Sequence, residues 1–214
     1  MVQKSKPRRG RPRAYDPEIA LTRAMNAFWK YGYNGASLDE LSQAMGMNRP
    51  SVYAAFRDKL GLYRKALDHY RAQSRAEMAE ALSEDRPLRE ALRDFYERAI
   101  AIYLSGEDGQ RGCFMIGTTL TEAVANPELR ATLGQSLRGL DAFLAARIAV
   151  GQKRNEVDVH ADPVELGRIG SAMLYLLAIQ ARAGEPRKTL TATMHAALAA
   201  ICKPPTEQRR KKDG

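Results

Sequence analysis

The sequence predicts an all-α protein in which a small N-terminal helical domain precedes a larger helical domain. Nearly every segment repeats its apolar residues at intervals of three and four, which is the spacing of one helix face. Leu88, Leu92, Phe95, Ala99 and Ile102 form one such regular stripe. Helix-start signals, in which Asp, Ser or Asn stands near Pro or Glu, recur along the chain. With 214 residues, 44% of them hydrophobic, the chain can bury a substantial core.

The first helix is predicted to run from Pro17 to about Lys30. Asp16 can act as its N-cap, and proline suits the first helical position because an N–H there has no helical partner. The sequence YGYNG, residues 31–35, is expected to end the helix. Its inner face is expected to contain Ile19, Ala20, Ala24 and Phe28.

Two short helices are predicted between residues 37 and 56. Ser37 and Glu40 have the spacing of a capping box, and Gly46 ends the helix that they begin. Asn48 can cap the next helix, which has a proline in its first turn. A short helix, a tight turn and a second short helix are typical of a helix-turn-helix. The residues expected to face inward are Leu38, Leu41, Met45, Val52, Ala55 and Phe56.

The helices after residue 58 are expected to be longer. Asp58 begins one of them, residues 105–112 form a loop, and residues 113–124 form one or two short helices. Pro127 opens a helix that reaches about Ala149, and Pro163 and Pro186 open the last two. We therefore predict four parts: a disordered basic arm (1–14), a helix-turn-helix domain (15–60), a larger helical domain (61–202) and a disordered tail (203–214).

Positive charge is concentrated at the two ends of the chain. Residues 1–60 contain 11 Lys and Arg against 5 Asp and Glu, and residues 203–214 contain 5 against 2. Residues 61–202 contain 18 of each kind, so the large middle part is neutral. An N-terminal excess of this kind indicates a polyanionic partner, of which nucleic acid is the commonest.

The cysteines and the apolar segments exclude several other classes of protein. Cys113 and Cys202 are far apart in sequence, and they show neither a metal-ligand spacing nor a disulfide pattern. No apolar segment of a signal peptide follows the basic N-terminus, and the apolar run Ala172–Ile179 is too short to span a bilayer. We expect a cytoplasmic protein with no metal, no cofactor, no membrane partner and no enzymatic activity.

The second helix of the helix-turn-helix carries side chains suited to DNA. Asn and Arg make bidentate contacts to adenine and guanine, so Asn48 and Arg49 are candidates for base contacts in the major groove. Tyr53 is placed to donate its hydroxyl to a phosphate, and Lys59 begins a helix whose N-terminal N–H groups also favour a phosphate. The DNA-binding candidates of this region are Ser37, Asn48, Arg49, Pro50, Ser51, Tyr53, Arg57 and Lys59. An ordinary helical hairpin is the alternative interpretation, and the charge excess favours DNA binding.

Residues 28–70 resemble the N-terminal domain of the tetracycline-repressor (TetR) family of bacterial transcription regulators. The family pattern is matched in order and spacing by Phe28, Gly32–Tyr33, Ser37, Gly46–Met47, Tyr53–Phe56 and Lys59. The resemblance implies an all-α homodimer with a three-helix DNA head, a linking fourth helix and a larger body that dimerises and binds a small-molecule effector. It also implies a regulator, commonly a repressor, that an effector releases from a palindromic double-stranded DNA operator.

The resemblance assigns roles in the body of the protein as well. The last two helices would form the dimer interface through Ile169, Met173, Leu176, Leu177, Leu190, Met194, Leu198 and Ile201. The same stripes would also fill the core of a single chain. Aromatic and Met side chains would line the effector site, although side chains at helical spacing also form cores. The candidates for that lining are Phe95, Tyr96, Tyr103, Phe114, Met115, Phe143 and Tyr175.

Cys113 is a candidate sensor residue. It stands at an expected helix start, where the helix dipole favours a thiolate, and Arg111 is near it in sequence. It is similar in place to a cysteine that is linked to electrophile or oxidant sensing in a subgroup of the family. The alternative is a small buried residue, the commoner role of a free cysteine.

The stretch RRGRPR, residues 8–13, allows several interpretations. As an arm beside a helix-turn-helix, it would insert Arg11 and Arg13 into the minor groove and place Arg8 and Arg9 on phosphates. Its Gly-Arg-Pro sequence also resembles an AT-hook, which would make the chain an architectural DNA-binding protein, and a localisation signal is a further alternative. A thiol enzyme that uses Cys113 is the least supported alternative, because the sequence shows no Cys–His arrangement.

Overall fold

The computed structural model describes residues 16–106 and 109–204, and every regular element within these ranges is an α-helix. The predicted all-α fold class is therefore confirmed. The predicted arm, with Arg9, Arg11 and Arg13, and residues 205–214 of the predicted tail lie outside the described residues. The helices are α1 (Pro17–Gly35), α2 (Leu38–Met45), α3 (Arg49–Phe56), α4 (Lys59–Ala81), α5 (Leu88–Tyr103), α6 (Phe114–Ala125), α7 (Pro127–Lys153), α8 (Pro163–Arg182) and α9 (Arg187–Ile201).

The chain divides into two compact units between His69 and Tyr70, which are consecutive residues of α4. We call them the N-terminal unit (residues 16–69) and the C-terminal unit (residues 70–204). The division falls later than the predicted boundary after residue 60, since the start of α4 packs within the N-terminal unit. None of the described helices combines the length and the apolar composition that a membrane crossing requires.

The first helix differs from its prediction in its end and in its inner face. The Oδ1 atom of Asp16 accepts hydrogen bonds from the N–H groups of Glu18 (2.9 Å) and Ile19 (3.3 Å), as expected of an N-cap. The helix continues to Gly35 across a kink at Gly32, where φ is 74° and ψ is 171°. Glycine adopts this backbone without the clash of a Cβ atom, so the chain bends there instead of stopping near Lys30.

The inner face of α1 loses one predicted residue and gains Met25, Ala27 and Trp29, which are also buried. Ala20, Ala24 and Phe28 are buried at intervals of four residues, whereas Ile19 is 51% exposed. Ile19 was predicted to face inward, and this prediction is wrong. Each step of one residue turns the side chain by about 100° around the helix axis, so Ile19 points away from the face that contains Ala20.

Three aromatic rings form a cluster in the N-terminal unit. The ring centroid of Tyr63 lies 5.2 Å from that of Phe28 and 5.0 Å from that of Tyr33, both in edge-on arrangements. Edge-on aromatic pairs stabilise a core beyond the area that they bury. The cluster joins α1 to the first turns of α4.

The core of the C-terminal unit is formed mainly by α5, α7, α8 and α9. These helices contribute Leu92, Leu144, Leu177 and Ala197, which are all fully buried. A Cβ atom at Gly167 would lie 2.7 Å from the carbonyl oxygen of Asp141, so α7 and α8 approach too closely for a larger side chain. Of the one or two short helices predicted for residues 113–124, the structure has one, α6, and α7 extends beyond its predicted end near Ala149.

Two arginines, Arg147 in α7 and Arg154 at its C-terminal cap, hold the turn between α4 and α5. Nε of the buried Arg147 donates to the carbonyl oxygen of Leu82 (3.1 Å), and Nη2 donates to that of Arg86 (2.6 Å). Nη1 of Arg154 donates to the carbonyl oxygen of Glu84. Burial lowers the pKa of Arg147. These hydrogen bonds satisfy carbonyl groups of the turn that follows α4.

Candidate DNA-binding surface and ligand cavity

The first helix of the helix-turn-helix, α2, is defined by caps at both ends. The N–H of Ser37 donates to Oε2 of Glu40 (2.7 Å), and the N–H of Glu40 donates to Oγ of Ser37 (3.2 Å). The hydrogen bond that the Ser37 N–H donates to the carboxylate lowers the pKa of Glu40. At the other end Gly46 adopts a left-handed conformation, with φ 65° and ψ 32°, which turns the chain towards α3.

The second helix, α3, is attached to the unit mainly through Val52. Val52 is buried and Phe56 is half-buried one turn later, so the inner stripe of α3 follows a spacing of four. Ala55 was predicted to face inward, and this prediction is wrong because Ala55 lies beside that stripe and is exposed. Asn48 caps the helix by accepting a hydrogen bond from the N–H of Ser51 at Oδ1 (2.9 Å).

The structure brings most of the predicted DNA-binding residues to the ends of two short helices. Asn48, Arg49 and Pro50 are exposed at the start of α3, where a recognition helix presents its base-reading side chains. Tyr53 is exposed one turn later and Ser51 is half-buried between them. Ser37 is exposed at the start of α2, with its hydroxyl engaged in the cap.

Arg49 forms an exposed ion pair that the sequence did not predict. Its Nε donates to Oδ1 of Asp39 and its Nη2 to Oδ2, so one edge of the guanidinium contacts both carboxylate oxygens. The two side chains remain 55% and 72% exposed. The carboxylate of Asp39 raises the pKa of Arg49. The two partners are ten positions apart in different helices, so only the packing of α2 on α3 reveals the pair.

The turn from α3 to α4 holds the remaining two candidates of this region. Arg57 is exposed and has a positive φ of 72°, which is unusual for a residue with a Cβ atom. Nζ of Lys59 lies 3.4 Å from the carbonyl oxygen of Asn34 and 4.7 Å from the ring centroid of Tyr33. Oδ1 of Asp58 accepts a hydrogen bond from the N–H of Gly61 (2.6 Å), which caps the start of α4.

The C-terminal unit contains a cavity of about 600 Å³. Its buried walls include Phe95, Tyr103, Cys113 and Leu140, and its lining extends to charged side chains such as Arg75. The volume is in the range of small-molecule sites, and an apolar lining with a few polar groups is also typical of them. The predicted lining residues that the cavity contains are Phe95, Tyr103, Cys113, Met115, Phe143 and Tyr175.

Two predicted lining residues lie outside the cavity. Tyr96 is fully buried, and its hydroxyl donates to the carbonyl oxygen of Gly170 (2.9 Å), so it belongs to the core between α5 and α8. Phe114 is also fully buried, and its ring packs 5.3 Å from that of Tyr70. We correct the predicted lining accordingly and add Tyr70, which sequence reasoning missed. No local signal in the sequence points to it, because the approach of Tyr70 to Cys113 joins residues that are 43 positions apart.

Cys113 lies among phenol groups at the edge of α6. It occupies the position before the first residue of that helix, is buried, and lines the cavity. The hydroxyl of Tyr70 lies 3.4 Å from its Sγ. Burial, together with the neighbouring sulfur, raises the pKa of both Tyr70 and Tyr103 well above the usual value. Nη1 of Arg111, the predicted neighbour, lies 3.5 Å from Oγ of Ser105.

Comparison with known proteins identifies the family. Residues 20–66 match the model of the bacterial regulatory proteins of the tetR family. The HTH-type transcriptional repressor ComR of Escherichia coli (strain K12) is 34% identical to the chain over 181 residues, which cover 82% of this chain and 84% of ComR. The chain belongs to the TetR family.

Two further similarities concern proteins of the same kind. The HTH-type transcriptional repressor BdcR of Escherichia coli (strain K12) is 36% identical over 107 residues, which cover 50% of this TetR-family chain and 54% of BdcR. A cysteine mutant of the TetR family transcriptional regulator CifR, complexed with 26bp double-strand operator DNA, shares 34% identity with a TM-score of 0.80. That similarity covers 89% of this chain and 99% of the CifR chain.

The predicted dimer residues of this TetR-family chain fall into two groups. Leu177, Leu190, Met194, Leu198 and Ile201 are buried within the single chain, because α8 and α9 pack on α5 and α7 through them. We therefore correct the predicted interface by assigning these five residues to the core. Ile169 and Leu176 are 43% and 40% exposed, and Ile179, which continues their stripe on α8, is 56% exposed. Met173 is half-buried beside them.

Proposed function

We propose that this TetR-family protein is a transcriptional repressor that binds a palindromic double-stranded DNA operator as a homodimer. We also propose that a small molecule, electrophile or oxidant acting on the C-terminal unit releases it. The observation that carries the proposal is the start of α3, where Asn48 and Arg49 are exposed and ordered by a cap. ComR and BdcR are named as transcriptional repressors, and CifR was solved with operator DNA.

The proposed DNA contacts divide into base reading and phosphate binding. Asn48 and Arg49 are proposed to contact base edges in the major groove, with Pro50 and Ser51 close to the DNA surface. Ser37, Tyr53, Arg57 and Lys59 are proposed to contact phosphates, since hydroxyl and cationic groups commonly do so. The basic residues 1–14 are proposed to add affinity through Arg9, Arg11 and Arg13, in keeping with the N-terminal charge excess.

Dimerisation is proposed to use the exposed stripe of Ile169, Leu176 and Ile179 on α8. A run of exposed apolar side chains on one helix face is unusual for a surface that meets only water. A second copy would bury the same stripe by two-fold symmetry. Two recognition helices related by that symmetry fit half-sites spaced by about 34–36 Å or a multiple of this distance.

The proposed effector site is the cavity of the C-terminal unit. α4 is continuous from Lys59 to Ala81, so the helix that carries Tyr70 in the cavity also carries Tyr63 in the core of the N-terminal unit. An effector that alters the position of α4 at Tyr70 would therefore act on the helix-turn-helix. By thermodynamic linkage, operator DNA would weaken effector binding by the same factor. Cys113 is the proposed reactive group for an electrophile or oxidant.

We propose 15–60 as the helix-turn-helix domain and 61–202 as the effector and dimerisation domain, with the protein acting in the cytoplasm. The relatives are regulators, and we propose no catalytic role for this chain. In the part of the chain that the structure describes, no three His, Cys, Asp or Glu side chains come close enough to hold a metal ion.

The proposal is tested by selecting genomic fragments that bind the full chain and sequencing them. We expect a palindromic motif whose symmetry matches a two-fold dimer. A variant that lacks residues 1–14 should bind the same motif with lower affinity, since α3 and not the basic arm reads the bases. Enrichment of A·T-rich DNA without a palindrome, lost on removal of residues 1–14, would support the AT-hook alternative instead.

A further inference from the structure

The pair of Asp39 and Arg49 joins the two helices of the helix-turn-helix at the place where DNA would bind. Asp39 lies in the first turn of α2, and Arg49 is the first residue of α3. Both side chains are more than half exposed, so the pair lies on the surface and not in the core. An ion pair this exposed contributes little to folding stability, because water screens the two charges, so a purely structural role for it is small.

The geometry of the pair leaves a defined part of the guanidinium available. Arginine has five N–H donors in a planar fork. Asp39 occupies the side edge, because its two oxygens accept from Nε and from Nη2. The end edge, formed by Nη1 and the second hydrogen of Nη2, points away from the carboxylate. That edge has the spacing that matches O6 and N7 of guanine.

A guanidinium on a flexible side chain loses conformational entropy when it docks on one base. A carboxylate that already holds the fork by two hydrogen bonds reduces this loss at the moment of DNA binding, and it also fixes the plane of the fork. We propose that Asp39 is a positioning residue for DNA recognition, which orients Arg49 so that its end edge reads one guanine in each operator half-site.

This inference rests on the proposed function and adds a residue that does not itself touch the base. It predicts a change in base preference at one position and not a general loss of DNA affinity. Asp39→Asn removes a negative charge near DNA, so binding to unrelated DNA should stay equal or become tighter. At the same time, the preference for guanine over the other bases should fall by about tenfold at the operator position that Arg49 contacts.

The test measures base preference by binding full-length protein to a randomised DNA library, followed by competition binding with single-base variants of the selected operator. The operator position that Arg49 contacts is identified as the one whose base preference disappears in Arg49→Ala. Glu18→Gln is the matched control, because it removes the same charge from an exposed first-turn acid of α1. This control should leave every base preference unchanged. Thermal unfolding of each variant checks that the fold is intact.

The double variant Asp39→Asn with Arg49→Ala decides whether Asp39 acts through Arg49. We expect it to show the same base preferences as Arg49→Ala alone, so that the two effects are not additive. The inference is overturned if Asp39→Asn keeps the guanine preference. If that variant also binds the operator more tightly, Asp39 only competes with DNA for Arg49. If the inference fails but the wild-type protein still selects a palindromic operator, the proposed function is not contradicted. A wild-type protein that selects no sequence overturns both.

Discussion

At the scale of single residues, the cations around the helix-turn-helix have different surroundings. Arg49 lies against a carboxylate, whereas Lys59 lies against a ring face and a carbonyl oxygen. A planar fork that keeps a free edge suits a base, and a compact ammonium at the start of a helix suits a phosphate. These differences lead to separable consequences for DNA binding.

Lys59→Ala should weaken binding to all DNA sequences by a similar factor. Loss of one phosphate contact reduces the slope of log binding constant against log salt concentration by about one, and it leaves base preference unchanged. Binding titrations of operator and unrelated DNA at several salt concentrations measure both quantities. Arg49→Ala is the comparison variant, and it should relax base preference at particular positions. A selective loss of operator binding in Lys59→Ala would contradict the assignment.

The two cysteines should respond differently to thiol reagents. Hydrogen peroxide or N-ethylmaleimide should release the wild-type protein from its operator and should fail to release Cys113→Ser. Cys202→Ser is the matched control and should respond as the wild type does. Cys202 is buried, and burial raises its pKa to about 11, so little of the reactive thiolate exists at neutral pH. Electrophoretic mobility of the DNA complex measures release, and release of Cys113→Ser would refute the sensor role.

At the scale of elements, the end of α3 and the start of α4 depend on one glycine. A Cβ atom at Gly61 would lie 2.1 Å from the carbonyl oxygen of Phe56, which is the last residue of α3. This distance is far below contact, and the obstacle is backbone that cannot rotate away. The backbones of the two helices therefore approach closely at this glycine.

Gly61→Ala should destabilise the N-terminal unit by about 2–3 kcal/mol, because the backbone of α3 or α4 must shift to admit the methyl group. Gly117→Ala is the matched control. It lies in α6 with nothing within 4 Å of the added Cβ atom, and it should be neutral or stabilising by up to about 1 kcal/mol. Urea unfolding followed by circular dichroism measures both. Equal stabilities of the two variants would contradict the proposed close approach.

Local signals in the sequence were sufficient for most of the elements. Asp16, Ser37 and Asn48 were predicted as caps, and each accepts the expected backbone hydrogen bond. Such caps can be predicted because they depend on residues within three or four positions. The continuation of α1 through Gly32 was missed, since glycine permits a bend as readily as a stop.

The sites were harder to predict because they depend on contacts between distant segments. The spacing of apolar residues on α8 and α9 does not show which apolar stripe packs in the core of the same chain and which stays exposed. The sequence therefore left Leu177 and Leu198 open to a dimer interface as well as to the core, and both are buried in their own chain. The Asp39–Arg49 pair and the approach of Tyr70 to Cys113 likewise depend on tertiary packing.

At the scale of the whole molecule, the dimer interface that we propose on the exposed stripe of α8 would link assembly to DNA binding. A single helix-turn-helix binds one half-site, whereas in a dimer the second helix-turn-helix is already held near the second half-site. On this proposal, the strength of operator binding depends on a surface that does not itself touch DNA.

Leu176→Glu should therefore convert the dimer to a monomer and reduce affinity for the palindromic operator by about a hundredfold or more. Val124→Glu on α6 is the control, since Val124 is 77% exposed and lies outside the stripe. Sedimentation and DNA titration measure mass and affinity. The assigned interface is wrong if Leu176→Glu remains a dimer, or if Val124→Glu dissociates as well.

Because α3 buries so few of its side chains, most of its residues can change during evolution without loss of the fold. Of the eight described residues of this helix, only Val52 is buried. Substitutions at surface positions away from special contacts are usually close to neutral for stability. After a gene duplication, two copies could therefore diverge in the operators that they recognise while the caps, the aromatic cluster and Gly61 stay unchanged. The helix that we propose to read the operator can therefore change its exposed residues at little cost in folding stability.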